Sequence, residues 1–171
     1  MRGWTRLPSL IVGCERRWPR WRNTSRRTMN EVPRNVRGIV VTHGSMCFGM
    51  VDAVRSIAGP PADALIPISN EGKGPEELLH LVSELTGEGP SVIFTDLHTG
   101  SCALAARLAC RDPEGRRVVF GTNLAMLLDF VFHRHLPLDE LVERVVNLGR
   151  AAVRAFESGE ERVGNRPVSG G

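Results

Sequence analysis

The chain is predicted to fold as an α/β domain: a single open, mostly parallel sheet of four to five strands, covered by helices on both faces. Three observations predict this. From residue 38 onward, short apolar runs alternate with longer stretches of helical spacing. The first run, GIVVT, is apolar without alternation, as a strand buried on both faces requires. The intervening segments have the length of crossover helices, and strands joined in that way lie parallel in a doubly covered sheet.

Residues 38–42 (GIVVT) form the first strand. MCFGMVDAVRSIAG (46–59) follows as a helix, with Met50, Val51, Val54, Ile57 and Ala58 at helical spacing and Gly59-Pro60-Pro61 as its stop. ALIPI (64–68) is the second strand; Pro67, which has no N–H to give to a ladder, puts it at a sheet edge. PEELLHLVSELTG (75–87) is a helix with Pro75 in its first turn, Glu76 and Glu77 near the positive end of its dipole, and Gly87 at its end. SVIFTD (91–96) is the third strand. SCALAARLAC (101–110) is a helix of small side chains suited to close packing on a sheet. RVVFGT (117–122) is the fourth strand, and NLAMLLDFVFHR (123–134) a strongly apolar helix. PLDELVERVVNLG (137–149) is the last helix, and AAVRAF beyond it either extends that helix or forms a last strand. No internal repeat is visible.

Three regions follow: a basic extension (1–36), a globular domain (37–157) and a flexible C-terminal tail (158–171). The net charge of +3 conceals an asymmetry. Residues 1–37 hold ten arginines against Glu15 and Glu31, a net of +8, which leaves −5 for residues 38–171. Trp4, Trp18 and Trp21, all the tryptophans of the chain, lie in the same leader. Arginine with tryptophan suits an arm on nucleic acid or on a membrane surface. The run LPSLIVGC suits a targeting peptide, but arginines stand where the small residues of a cleavage site belong. We read the leader as a disordered extension or the product of a misplaced start, with Met29 as the alternative start. The globular part is not expected to bind nucleic acid. No apolar run reaches the roughly 18 residues of a membrane span. The cysteines, Cys14, Cys47, Cys102 and Cys110, form no CxxC pair and have no metal spacing with histidine, so a reduced, cytoplasmic protein without disulfides is expected. No cofactor and no metal are expected.

In an open parallel sheet, chemistry gathers at the carboxyl ends of the strands. Three such ends are polar here: Thr42-His43-Gly44-Ser45, Asp96-Leu97-His98-Thr99-Gly100-Ser101, and Gly121-Thr122-Asn123. Each has a task if a phosphoryl group moves. Neutral imidazole is a good nucleophile near neutral pH, and its other ring nitrogen needs an acceptor to set the tautomer. Asp96 is the acid placed to supply it and to stabilise the positive ring that forms. The phosphoryl oxygens need donors, and the N–H groups of Gly100 and Ser101 open a helix, where anions bind readily. The Ser101 hydroxyl adds another donor, and Thr42 joins the phosphate-binding set. Ser45, His98 and Asn123 are candidates for docking or for modulating His43. Plainer readings stand beside these: His43 as a turn residue, Asp96 and Asn123 as helix caps, His133 and His135 as partners of a helix dipole, and His80 as a surface residue.

At this point the chain resembles a known family, the mannose-type (mannose/fructose/sorbose) IIA component of the bacterial phosphoenolpyruvate-dependent sugar phosphotransferase system (PTS). GIVVTHG is similar to its strand-one motif. VIFTDLHTGSCALAA resembles its third-strand motif, in which Asp is followed by a small-residue turn, Gly-Ser and a helix of small side chains. VVFGTNLAMLLD and LVERVVNLGRAAVRAF resemble its fourth-strand segment and its last helix. The resemblance covers roughly residues 37–157. It implies a phosphotransferase acting through a phosphohistidine. His43 would accept a phosphoryl group from the phosphocarrier HPr and pass it to a IIB partner, with a membrane sugar permease served indirectly. It also implies that Asp96 orients His43, and that the protein is a homodimer whose C-terminal strand, with AAVRAF as the candidate, can be exchanged between subunits. Two positions depart from the family pattern. His98 stands where an aromatic, typically Trp, is usual, and Cys102 stands where Pro is common. A dihydroxyacetone-kinase-type phosphotransferase subunit is a close variant. A non-catalytic regulatory or ligand-binding module on the same fold is the rival from another class, and a metal site of His43, Asp96 and His98 is a third reading.

Overall fold

The structure is a computed structural model, and it describes residues 35–111 and 115–155. The basic leader to residue 34, the loop 112–114 and the tail from residue 156 lie outside the described residues. The elements run β1 (Arg37–Thr42), α1 (Met46–Ala58), a 3-10 turn (Pro60–Ala64), β2 (Leu65–Ser69), α2 (Pro75–Thr86), β3 (Ser91–Thr95), α3 (Gly100–Ala109), β4 (Arg116–Phe120), α4 (Leu124–His133) and α5 (Leu138–Ala151). The four strands form one parallel sheet in the order β2-β1-β3-β4. Pro67 therefore lies on an edge strand, where a missing N–H costs least.

Alternation along the strands sorts the core into two layers. Val40, Val92, Phe94 and Val119 face α1, α4 and α5, meeting Val51, Val54, Leu127, Phe130, Leu141 and Val145. Ile39, Val41 and Ile93 face α2 and α3, meeting Leu78, Val82, Cys102, Ala105 and Ala106. Successive strand residues point to opposite faces, so a strand covered on both sides must be apolar throughout. That is why GIVVT and SVIFT carry no polar/apolar alternation. The small residues of α3 let its backbone approach the sheet beside α2. On the other face, Gly38 is the clearance for α4. A Cβ there would come within 2.6 Å of Leu65 Cδ2 and 2.7 Å of Phe130 Cε1. Phe130 in turn stands edge-on to Phe94, with ring centroids 5.2 Å apart.

The sequence allowed four or five strands, and four are present among the described residues. Of AAVRAF, Ala151 ends α5, Ala152 turns, and residues 153–155 have no regular structure; Phe156 lies outside the described residues. A free helix end is satisfied here by its own backbone, since the N–H of Ala152 donates to the carbonyl of Leu148 at 2.9 Å.

Two hydrogen-bond pairs align the carboxyl ends of the strands. The N–H of Asn70 donates to the carbonyl of Thr42 at 3.2 Å, carrying the β1–β2 ladder one step beyond the strands. Thr122 gives both its N–H (3.0 Å) and its hydroxyl (2.9 Å) to the carbonyl of Thr95. The turns after β1, β2, β3 and β4 are thereby held in register on one rim.

Candidate functional site

The turn between β1 and α1 carries His43. Gly44 follows with φ of +56°, a conformation that glycine adopts at no steric cost. The tight turn points the imidazole across β1 toward the end of β3, where Asp96 sits one residue past the strand. Nδ1 of His43 lies 2.8 Å from Oδ2 of Asp96. The backbone N–H of His43 donates to the same oxygen at 3.1 Å, and the N–H of Leu97 donates to Oδ1 at 2.9 Å. Asp96 thus accepts three hydrogen bonds from fixed donors. Its side chain is 10% exposed, against 41% for His43. Burial by itself pushes the Asp96 carboxyl upward; the His43 ring and the two backbone N–H groups outweigh it, and the net position is below the ordinary 3.8. An ionised carboxylate facing Nδ1 sets the proton on that nitrogen and leaves the Nε2 lone pair open.

Nε2 looks toward the start of α3. A methyl group added at Gly100 would stand 3.5 Å from it. Gly100 has φ of +90°, a left-handed backbone that favours glycine. Thr99, which precedes the helix, makes no side-chain cap, and the first turn of α3 contains no acid. The start of α1 is alike: Ser45 makes no side-chain cap and the first turn holds no acid. At α1 the N–H groups of Met46 and Phe48 already donate to the carbonyls of His43 and Ser45, so it is the start of α3 that brings N-terminal N–H groups without a side-chain cap to the half-exposed imidazole, an arrangement that favours an anion. Chemically, the site can present a neutral nitrogen nucleophile backed by a carboxylate and flanked by N–H donors.

The structure brings His43, Asp96, Gly100 and Ser101 together. Thr42 is fully buried, and its hydroxyl has no hydrogen-bond partner among the described residues. Ser45 is exposed, and its carbonyl accepts from Phe48 and Gly49. His98 is exposed, and its carbonyl accepts from the Arg107 guanidinium at 2.9 Å. Asn123 caps α4: Oδ1 accepts from the N–H of Met126, and Nδ2 donates to the carbonyl of Gly149, both at 3.1 Å. Its amide is committed to joining α4 and α5, as the plainer reading of that residue expects.

Asn70 belongs to the site and was not among the candidates. Its Oδ1 accepts from the N–H of Gly44 at 3.0 Å, and its Nδ2 lies 3.4 Å from Ser101 Oγ. The rule that singled out the other strand ends applies equally to Ser69-Asn70, which closes β2.

A cation would find its donors at His43, Asp96 and Cys102, whose ligand atoms lie within 4.8 Å of one another; His98, the third donor proposed from sequence, is not in this group. Burial, with the Asp96 charge adding to it, pushes the Cys102 thiol above its ordinary 9.0. A buried, protonated thiol is a poor ligand, and Nδ1 and Asp96 are already bonded to each other. No helix among the described residues is long and apolar enough to cross a membrane.

The family model described as "PTS system fructose IIA component" matches residues 38–146. No curated protein matches the chain. Several solved structures do. The phosphotransferase system component EIIA from Streptococcus agalactiae aligns with a TM-score of 0.65 at 23% identity, over 71% of this chain and 97% of that one. The mannose/sorbose specific IIA subunit from Enterococcus faecalis aligns with a TM-score of 0.65 at 25% identity, over 72% and 96%. The PTS IIA protein associated with the fucose utilization operon of Streptococcus pneumoniae aligns with a TM-score of 0.54 at 22% identity, over 66% and 90%.

Proposed function

Because this chain belongs to the PTS system fructose IIA component family, we propose that it is a phosphocarrier whose acceptor is Nε2 of His43. The observation that carries the reading is the 2.8 Å contact of Nδ1 with Asp96, which leaves Nε2 open beside the uncapped start of α3. The Nε2 lone pair attacks phosphorus, the bond from phosphorus to the donor breaks as the new N–P bond forms, and the donor leaves with that electron pair. The ring then carries a positive charge, held through Nδ1–H by the Asp96 carboxylate. The phosphoryl oxygens take N–H groups from Gly100 and Ser101 and the Ser101 hydroxyl. Transfer onward reverses these steps.

The donor is HPr and the acceptor a histidine of a IIB component, in the cytoplasm, with a membrane permease served indirectly. Exposed Met46, Phe48 and Leu97 flank the two turns and offer apolar contact around the reacting ring. The protein acts as a homodimer, with the segment after α5 as the exchanged element. Sedimentation of the full chain tests this, a monomer at all concentrations counting against it.

Incubation with phosphoenolpyruvate, enzyme I and HPr, read by intact mass, tests the function. One phosphoryl group is expected on the wild type and none on His43→Ala. Unchanged labelling of the variant would refute the assignment; ligand binding without any phosphorylation would favour a regulatory module instead.

A further inference from the structure

Asn70 links the turn that carries the imidazole to the helix that faces it, through Gly44 on one side and Ser101 on the other. We infer that Asn70 is a positioning residue that directs the Ser101 hydroxyl toward the phosphoryl group on His43; this rests on the reading of His43 as acceptor.

Asn70 is held at both its backbone groups. Its N–H is bound to the carbonyl of Thr42 at 3.2 Å, and its carbonyl accepts from the N–H of Lys73 at 3.1 Å. The side chain then has one acceptor end and one donor end. Oδ1 is taken by the N–H of Gly44 at 3.0 Å, and a backbone N–H can only donate. That settles the amide orientation, and the NH2 group faces Ser101 Oγ at 3.4 Å. A hydroxyl has one hydrogen and two lone pairs. Receiving a hydrogen bond from Asn70 occupies a lone pair and leaves the Ser101 hydrogen free for an anion. The contact is long for a hydrogen bond, as such bonds often are before a charged ligand tightens them. The same side chain ties the β1–α1 turn to the start of α3, so that the His43 ring and the Ser101 hydroxyl keep one relative geometry.

An aspartate at position 70 has nearly the same shape but no donor. It would still accept from Gly44, and it would accept the Ser101 hydrogen as well, removing that donor from the site and adding a negative charge beside the phosphoryl group.

The test uses the full chain and potassium phosphoramidate, a small donor that needs no protein partner. In this reaction Nε2 forms the bond to phosphorus, the phosphoramidate P–N bond breaks, and ammonia leaves. The rate is followed by intact mass, with peptide mapping to His43, for the wild type, Asn70→Ala, Asn70→Asp, Ser101→Ala and the Asn70→Ala/Ser101→Ala pair. Circular dichroism and thermal unfolding establish that each variant is folded. Asn70→Ala is expected to slow labelling about 10-fold, the effect of one hydrogen bond to a charged group, and Asn70→Asp about 10²-fold at neutral pH. The ratio of Asn70→Asp to wild type should rise as pH falls, because protonation returns a donor to position 70. In the Ser101→Ala background Asn70→Ala should cost clearly less than in the wild type, since the contact between the two side chains is already gone and only the bond to Gly44 is lost. Wild-type rates in folded Asn70→Ala and Asn70→Asp, or an equal loss with and without Ser101, would overturn the inference. A parallel arm with HPr separates the two claims. Labelling of His43 by phosphoramidate but not by HPr defeats the carrier reading and leaves Asn70 in place, whereas no labelling of His43 by either donor overturns both.

Discussion

At position 43, an imidazole gains direction from what surrounds each nitrogen. Nδ1 is claimed by Asp96, which is itself held by two backbone N–H groups, and Nε2 is left facing Gly100. Asp96→Asn keeps the shape and removes the charge that sets the tautomer and stabilises a positive ring. It should slow phosphoryl acceptance from HPr by about two orders of magnitude, the usual size of such a contribution, with little change in the folded spectrum. The stability of the two proteins should diverge with pH in a defined sense. The folded carboxyl lies below its ordinary 3.8. Its contribution is therefore complete at pH values above 3.8 and is lost as pH falls through the lower folded value. Denaturant titrations of wild type and Asp96→Asn should differ at neutral pH and converge in acid. Gly100→Ala tests the other side of the ring. The added methyl would stand 3.5 Å from Nε2 on a backbone with φ of +90°, costing about 1–2 kcal/mol in strain and occupying the space a phosphoryl group needs. Labelling should fall far more than the melting temperature does.

Elements position these residues by packing, and the sheet packs on both faces with little slack. β1 is the central case. Gly38 has Leu65 Cδ2 and Phe130 Cε1 where a Cβ would go, at 2.6 and 2.7 Å. Gly38→Ala should overpack that contact and cost about 1–3 kcal/mol, read as a lower denaturant midpoint with an unchanged slope. The strands and helices were legible in sequence because their periods differ and their stops are chemically marked: Gly59 and Gly87 end α1 and α2 with φ of +68° and +60°. The limits of β3 and β4 were less so. Asp96 and Gly121-Thr122 read as strand residues but lie just beyond the ladder, since the chain turns as soon as Thr95 and Phe120 have paired. Asn70 was hidden for a related reason. Its place at the end of β2 is a local signal, but its side-chain bonds reach Gly44 and Ser101, 26 and 31 residues away, and no local pattern names those partners.

Across the whole molecule, parallel topology is what makes a site. Four parallel strands deliver four turns to one rim, so residues far apart in sequence meet without any long loop. The family match spans residues 38–146. A chain begun at Met29 should accordingly keep the melting temperature and the phosphorylation yield of the full chain; a large loss of either would give the basic leader a role. The order of residues along the chain determined a good deal about this protein. Unbroken apolar runs called for a doubly covered parallel sheet, and polar residues at the strand ends named His43, Asp96, Gly100 and Ser101, because burial and turn chemistry are written locally. Tertiary structure decided which of those polar groups actually meet. It turned Thr42 inward, committed Asn123 to a helix cap, and brought Asn70 into the site. Strand order and the direction of each side chain arise from packing summed over the entire sheet, and no single segment carries that sum.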